Sequence, residues 1–282
     1  MVTLEILNEL IGADCESYFS YLKNKNKGGL NNSKGNTFEN HFTIYKIARS
    51  FNKFYKEDNL YFSSQMFAFV DDLVIEQYDE HKNNGWFYQI KNVQTLDWSG
   101  GTHPLENDFI NQRLVSERLG LPSSLGLVVS TDNVFEKLQS TQPDNLKHVE
   151  LINFKSANSI PSLIRDNELI RKELIRMCAF ENPPNFVLET LAAILLGSWD
   201  SSDKKKVSLG EIIENCYRLN PHYIRGLENK ISASLEKLFA AIAGFTYKVE
   251  GGYIRWTFNN TDEGTLMFRI GSRDLLNGKL TS

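Results

Sequence analysis

FVDDLVI at residues 69–75 and WFYQIKN at residues 86–92 are the two segments on which the architecture of this chain depends. Aromatic and branched residues dominate both segments. Between them lies DEHKNNG at residues 79–85, a run of turn formers. Branched and aromatic runs that flank a polar turn are typical of a β-hairpin. The pattern therefore predicts two antiparallel strands joined by a short connection.

The second strand brings polar side chains to one edge of this hairpin. Successive side chains of a strand point to opposite faces. Gln89 and Lys91 therefore share one face, while Ile90 enters the opposite layer. The first strand is expected to bring Asp72 to the same edge. A metal ion held there would meet a carboxylate, an amide oxygen and a nearby ammonium group.

The composition indicates a soluble globular protein without a global basic field. The chain has 282 residues, of which 41% are hydrophobic, enough for one large domain or two ordinary ones. The net charge is −4 and the pI about 5.8, so any contact with DNA would need a local basic patch.

The cysteines and the apolar runs indicate a cytoplasmic location. Cys15, Cys178 and Cys216 are scattered and form no CxxC pair, so neither a disulfide framework nor a structural zinc site is predicted. The sequence contains neither a signal-peptide pattern nor an apolar run of about 18 residues, so no membrane association is predicted.

Apolar periodicity predicts a mixed α/β order along the first half of the chain. A helical lead-in is expected over residues 4–22, followed by an exposed loop over residues 23–36 that is either a linker or a basic arm; the composition favours the linker. A strong helix with Glu39 in its first turn is expected over residues 38–54. Beyond the hairpin, the pattern predicts helices at 105–119 and 134–138 and strands at 124–130 and 148–154.

These residues together resemble the PD-(D/E)XK nuclease superfamily. The resemblance rests on Glu39 on a helix, Asp72 at the end of a strand, and Gln89-Ile90-Lys91 on the next strand, seventeen residues after Asp72. The Gln-x-Lys form is similar to Mrr-type restriction endonucleases and to related double-stranded DNA nuclease effectors of bacterial anti-phage systems. The resemblance covers roughly residues 35–155, in the order αβββαβ. The sequence departs from the family pattern in lacking a proline before Asp72 and in having Gln89 in place of an acid.

The resemblance implies a restriction-endonuclease-like mixed sheet flanked by helices and a metal-dependent endonuclease that cleaves double-stranded DNA. The implied role is defence against phage or plasmid DNA. Cutting both strands generally requires two active sites, so a homodimer or recruitment into a larger defence complex is expected. The alternative is a non-catalytic DNA-binding or adaptor subunit with a degenerate nuclease fold.

Phosphodiester hydrolysis gives each of the polar residues a chemical role. A hard divalent cation activates the attacking water and stabilises the leaving alkoxide, and Mg²⁺, for which Mn²⁺ can substitute, prefers oxygen ligands. Asp72 is the expected main ligand, Gln89 the second, and Glu39 completes the shell directly or through water. Lys91 is expected to orient or deprotonate the water. Asp71 is a reserve ligand, since the pattern leaves open which of the adjacent acids faces inward.

Each residue taken singly has a plainer interpretation. Asp71 and Asp72 would simply end a strand, a Gln-x-Lys pair is most often a solvated face, and Glu39 suits a helix N-terminus for dipole reasons alone. Only their combination favours a catalytic site.

The last third of the chain predicts a second domain at residues 159–282, following a nuclease domain at 1–158. Helices are expected at 160–180, 186–196, 211–217 and 221–243, with a Ser208-x-x-Glu211 capping box and a hairpin of strands at 245–249 and 253–258. This order is similar to a winged helix-turn-helix, which would bind either DNA or a protein partner. The basic and polar residues expected at a DNA surface are Arg225, Asn229, Lys230, Lys248 and Arg255.

Overall fold

The structure, a computed structural model, describes residues 3–29, 33–54, 59–79, 83–220, 222–225, 231, 233–250 and 253–267. Within these residues it contains a six-stranded mixed sheet with helices on both faces and a separate three-stranded sheet. The predicted α/β class with a mixed sheet is confirmed. In the same part of the chain no helix combines the length and apolar character needed to cross a membrane.

The large sheet has the strand order β5-β4-β3-β2-β1-β6. β1 pairs antiparallel with both β2 and β6, and β2 pairs antiparallel with β3. β3, β4 and β5 run parallel to one another. The strands are β1 Leu60–Ser64, β2 Leu73–Gln77, β3 Asn84–Lys91, β4 Ser123–Val129, β5 Glu150–Asn153 and β6 Val207–Ser208.

The predicted hairpin is present as β2 and β3, with Leu73 opposite Tyr88. The predicted first strand at 69–75 is wrong in its first half, because β2 begins only at Leu73. The backbone N–H groups of Phe69 and Val70 donate hydrogen bonds to the Gln112 side-chain oxygen, at 3.1 and 3.3 Å. These donors are therefore not available to a strand ladder. Asp71 and Asp72 lie in the short segment between these anchored residues and β2.

Alternate side chains of the central strands enter two separate hydrophobic layers. Leu73 and Ile75 pack in the first layer and Val74 in the second. The helices over the first layer are α3 Ser33–Phe54, α6 Ile160–Asp166, α7 Glu168–Met177, α8 Asn185–Asp200 and α9 Leu209–Leu219. The second layer is covered by α4 Leu105–Arg118 and α5 Asp132–Ser140. The sheet therefore has an apolar layer on each face, as its runs of hydrophobic residues require.

The N-terminal segment forms two helices, α1 Leu4–Ile11 and α2 Cys15–Gly29, with a short 3₁₀ turn at Gly12–Asp14 between them. The predicted linker at residues 23–36 is wrong, because α2 continues to Gly29 and α3 starts at Ser33. Leu7 and Leu22 are buried against Phe69 and Val115. This packing holds α2 beside the segment that precedes β2. The periodicity of the sequence did not predict a contact between these two parts of the chain.

The helix predicted at 160–180 is divided into α6 and α7 at Asn167. The backbone of this residue is extended, and its side-chain oxygen accepts a hydrogen bond from the Ile170 N–H. Asn167 is thus the N-cap of α7, a role that asparagine fills well. Farther along, the predicted capping box of Ser208 and Glu211 is present at the start of α9.

The C-terminal elements differ from the predicted winged helix in two ways. Among the described residues of the predicted helix at 221–243, the helical part is α10 Ala233–Ala240, whereas Ile224 forms a β-bridge with Cys178. The predicted hairpin gains a third strand, giving β7 Phe245–Glu250, β8 Tyr253–Phe258 and β9 Asp262–Met267 in that spatial order. Asn229 and Lys230 lie outside the described residues.

The division between residues 158 and 159 stays a prediction. The first hydrophobic layer contains residues from both sides of this division, because α6 through α9 pack in one cluster with α3 and the sheet. β6 also extends the sheet from beyond that point. A smaller cluster around Ile231, Phe239 and Ile254 holds the C-terminal sheet and α10 together.

Candidate functional site

Asp72 is the centre of a polar cluster at the edge where β1 ends, β2 begins and β3 ends. Its Oδ2 atom accepts hydrogen bonds from the Gln89 side-chain amide, from the Ile90 backbone N–H at 2.7 Å and from the Lys91 ammonium at 3.4 Å. The residue is buried. These donors fix the orientation of the carboxylate and offset the cost of burying it.

Glu39 lies beside Asp72 and shares a donor with it. The Gln65 amide nitrogen is 3.1 Å from Oε2 of Glu39 and 3.5 Å from Oδ1 of Asp72. Burial, together with the charge of Asp72, raises the pKa of Glu39 to about 7. α3 therefore places at the edge of the sheet a carboxyl group that changes its charge near neutral pH.

Asp71 points away from this pair, into a second cluster built around Lys25 of α2. The Lys25 Nζ atom is 3.3 Å from Asp71 and 3.0 Å from Asp108, and it also donates to the Phe69 carbonyl. Burial lowers the pKa of Lys25, but Asp71 and Asp108 outweigh it and raise that pKa above its ordinary value. Burial raises the pKa of Asp71 to about 7. The two adjacent acids thus face different neighbours.

Gln89 connects the two clusters and is fully buried. Its Oε1 atom accepts a hydrogen bond from Lys25 at 3.0 Å, while its Nε2 atom donates to Asp72. The amide oxygen expected to bind a metal is thus bonded to an ammonium group. In this arrangement Gln89 orients Asp72, and its expected role as a second metal ligand stays a prediction.

Three of the expected residues, Glu39, Asp72 and Lys91, do meet at one place. The two clusters are completed by three residues that were not predicted, Lys25, Gln65 and Asp108. Gln65 has a positive φ of 54°, which is uncommon for a residue other than glycine and which occurs often at functional sites. No motif in the sequence indicated these residues, because most of their contacts join distant parts of the chain: Lys25 is 83 residues from Asp108, and Gln65 is 26 residues from Glu39.

The donor set at Glu39 and Asp72 suits a hard cation with few protein ligands. Among the described residues there is no group of three or more His, Cys, Asp or Glu side chains that could hold a metal ion. Mg²⁺, however, keeps several waters and often takes only one or two carboxylates from the protein. Burial and the charge of Asp72 raise the pKa of Glu39. A cation coordinated by these two carboxylates would favour the charged form of Glu39.

A glutamate with a raised pKa makes the stability of the fold depend on pH. Its ordinary pKa of 4.5 is raised to about 7 in the folded chain, so between these values the folded state holds more protons than the unfolded state. The free energy of unfolding therefore falls as pH rises through this window. We expect Glu39→Gln to stabilise the metal-free protein by roughly 1–3 kcal/mol at pH 8 and by almost nothing below pH 4.5.

Urea unfolding in EDTA at pH 8, 6 and 4.5 measures this difference. Glu136→Gln, at an exposed position on α5, is the matched control and is expected to change stability by less than about 0.5 kcal/mol. A Glu39→Gln variant with the same pH profile as the wild type would contradict a raised pKa for Glu39.

Three of the residues expected at a DNA surface are described, and two of them, Lys248 and Arg255, are paired across neighbouring strands. The Arg225 guanidinium donates to Asn52 at 3.3 Å, and Arg255 forms an ion pair with Glu181. Because Glu181 pairs with Arg255, this strand presents less net positive charge to a phosphate group than the sequence alone suggests.

Comparisons with known proteins found a match only among solved structures. No family model and no curated protein matches the chain. Among the matches are Cap4 SAVED/CARF-domain containing receptors. One from Acinetobacter baumannii, with the cyclic trinucleotide 3′3′3′-cAAA, has a TM-score of 0.44 and 11% identity, covering 66% of this chain and 45% of that one. One from Moraxella osloensis has a TM-score of 0.38 and 10% identity, covering 66% of this chain and 48% of that one. The chain thus spans under half the length of these proteins.

This comparison overturns the family assignment made from the motifs. The matched structures from these two organisms are described as receptors, two of them with a cyclic trinucleotide, and not as nucleases. Membership of the PD-(D/E)XK superfamily and the resemblance to Mrr-type enzymes are therefore corrected. The function inferred from them, a double-stranded DNA endonuclease or a degenerate DNA-binding subunit, is withdrawn with them. The defence context stays a prediction.

Proposed function

We propose that the edge of the sheet at Glu39, Asp72 and Lys91 is a divalent-metal site for the hydrolysis of a phosphodiester bond. The observation that carries this proposal is the meeting of two carboxylates at one amide, with an ammonium group 3.4 Å from Asp72. Mg²⁺ is the proposed ion, and Mn²⁺ its substitute. The substrate is proposed only as a phosphodiester, without assignment to DNA.

The residues of the chain have separate tasks in this proposal. Asp72 is the main metal ligand, because three donors hold its carboxylate in one orientation. Glu39 would be the second carboxylate ligand in its deprotonated form; in the metal-free chain burial and Asp72 raise its pKa to about 7. The metal, when bound, supplies the Lewis acidity that activates water and stabilises the leaving oxygen.

Lys91 is proposed to act on the water and on the phosphoryl group. Its side chain is one-third exposed, so the ammonium reaches solvent while staying beside Asp72. It can therefore orient a water molecule and stabilise the charge that develops on the phosphoryl oxygens. Lys25, by contrast, is held among Asp71, Asp108 and Gln89 and is proposed to fix the position of Gln89.

The C-terminal elements are proposed to serve as a winged-helix-like module that docks a partner, within a second domain over residues 159–282. The ion pair of Arg255 with Glu181 supports partner docking over phosphate contact, since the pair reduces the positive charge on that strand. The proposed partner is a second copy of this chain or a larger complex that recruits it.

Hydrolysis of bis(4-nitrophenyl) phosphate tests the catalytic proposal. We expect the purified chain to release nitrophenol with Mg²⁺ or Mn²⁺ and to stop in EDTA. The monoester 4-nitrophenyl phosphate should react more slowly, since the proposed site is for diesters. Glu76→Gln, which removes a carboxylate from the far end of β2, is the matched control and should keep the wild-type rate.

Further arms of the experiment define the substrate. A linear dinucleotide and a cyclic trinucleotide such as 3′3′3′-cAAA both contain phosphodiesters, and the second is a ligand of a matched receptor. A rate that is the same with metal and with EDTA for every diester would overturn the proposal.

A further inference from the structure

A polar cavity lies at the end of the strands opposite to Glu39 and Asp72. It has a volume of about 180 Å³ and is lined by residues of α3 and of the sheet face that α3 covers. Trp86 and Ser124, both in its wall, are paired near the start of β3 and β4, whereas Lys91 is at the end of β3. The cavity is therefore distinct from the proposed metal site.

α3 supplies three cations to this cavity from one side of the helix. Lys46, Arg49 and Lys53 are spaced by three and four residues, so they lie on one helical face. Glu39 is seven residues before Lys46, about 10 Å along the helix axis. One helix thus carries a carboxylate at one end of the sheet and a basic cluster toward the other.

Lys46 is half-buried, and its ammonium reaches a tyrosine of the sheet. Its Nζ atom donates to the Tyr88 hydroxyl at 2.6 Å and is 4.3 Å from the centre of the Tyr88 ring. Burial and the neighbouring Arg49 lower the pKa of Lys46 to about 7. A lysine in such surroundings gains positive charge readily when an anion arrives.

The charges around the cavity do not balance. Three basic side chains line the cavity with one carboxylate, that of Glu150, which is exposed at the start of β5, while Glu173 of α7 also acts on Arg49. Ser50, Ser124 and Tyr88 add hydroxyl groups to the wall. A cavity that combines hydroxyl donors with excess positive charge suits an anion with several acceptor oxygens, and phosphate has this chemistry.

We propose that this cavity binds a phosphate group, either free phosphate or the monoester of a small molecule, through Lys46, Arg49 and Lys53. The inference does not depend on the proposed hydrolysis, since no residue is shared between the two sites. Binding draws a proton onto Lys46. The charged groups that face Lys46 are Arg49 and Lys53 on α3 and Glu150 on β5, and only Glu150 favours the ammonium form without a ligand.

Titration calorimetry with inorganic phosphate and with AMP at pH 7.5 tests this site. Each titration is repeated in two buffers of different ionisation enthalpy, so that proton uptake is measured along with affinity. We expect Lys46→Met and Arg49→Gln to weaken phosphate binding at least tenfold. Proton uptake should be seen in the wild type and be lost in Lys46→Met. Lys137→Gln, which removes an exposed lysine of α5, should change the affinity by less than twofold.

The two ligands distinguish the sources of the phosphate group. Equal affinities mean that the phosphoryl group alone is recognised, and a tenfold preference for AMP means that the walls also bind a nucleoside. Either result supports the site if the Lys46 and Arg49 variants weaken it. Undetectable binding of both ligands, or binding that these variants leave unchanged, overturns it. Arg49→Gln changes a side chain that reaches solvent, so it keeps the test valid if Lys46→Met fails to fold.

Discussion

Lys25→Met is expected to lower the free energy of unfolding by roughly 3–5 kcal/mol at pH 8, because it leaves the carboxylates of a buried ion cluster without their cation. Lys25 contacts Asp71 and Asp108, and both acids are buried. Methionine has a similar length, so the variant removes the charge and leaves little empty space. It also removes the donor that holds the Gln89 oxygen.

The loss should be smaller at pH 6 than at pH 8. The pKa of Asp71 is already about 7 in the folded chain, and loss of Lys25 removes a charge that lowers it, so this pKa rises further. At pH 6 the carboxyl group is then neutral, and burying it costs less. Urea unfolding at the two pH values measures the effect.

Lys23→Met is the matched control, since Lys23 is exposed on the same helix and only lies over the Phe19 ring. It should change stability by less than about 1 kcal/mol. If Lys25→Met and Lys23→Met were equally stable at pH 8, the buried cluster around Lys25 would not exist in solution.

Asp72→Asn is expected to lower metal-dependent diester hydrolysis at least 100-fold, whereas Asp71→Asn should keep the rate within about fivefold. Asp72 shares the Gln65 donor with Glu39 and accepts a hydrogen bond from Lys91, while Asp71 forms an ion pair with Lys25. Loss of a metal ligand removes both the metal and the charge that it supplies to the transition state. A hundredfold loss corresponds to about 2.7 kcal/mol of transition-state stabilisation.

Manganese binding and diester hydrolysis, measured on the same preparations, separate the two acids. Asp72→Asn should also weaken Mn²⁺ at least tenfold, while Asp71→Asn should change thermal stability more than Mn²⁺ affinity. Glu76→Gln is again the control outside the site. Equal losses in the two aspartate variants would mean that the site is not organised around Asp72.

Local patterns in the sequence were sufficient to predict much of the secondary structure. The hairpin of β2 and β3 followed from aromatic and branched runs around a turn, and the capping box of Ser208 and Glu211 from its spacing. The prediction that Ile90 and Gln89 point to opposite faces of the sheet followed from the two-residue period of a strand. These features depend on residues close in the chain, for which a pattern and its physical cause coincide.

The start of β2 and the division at Asn167 were not predicted, because side chains decide them. Gln112 binds the backbone of Phe69 and Val70 from more than 40 residues away. The cap at Asn167 interrupts a helical period that otherwise continues. Apolar periodicity does not record such hydrogen bonds.

By itself the sequence determined that the fold is a mixed α/β sheet, and it predicted a polar site of Glu39, Asp72, Gln89 and Lys91 at one edge of that sheet. The tertiary structure alone decided that Asp72 and not Asp71 faces Glu39, and that Gln89 presents its amide nitrogen to Asp72. It also brought Lys25 to Asp71 from a segment that looked like a linker. The physical reason is that buried charges must find partners, and the packing of α2 selects a partner 46 residues away in the chain.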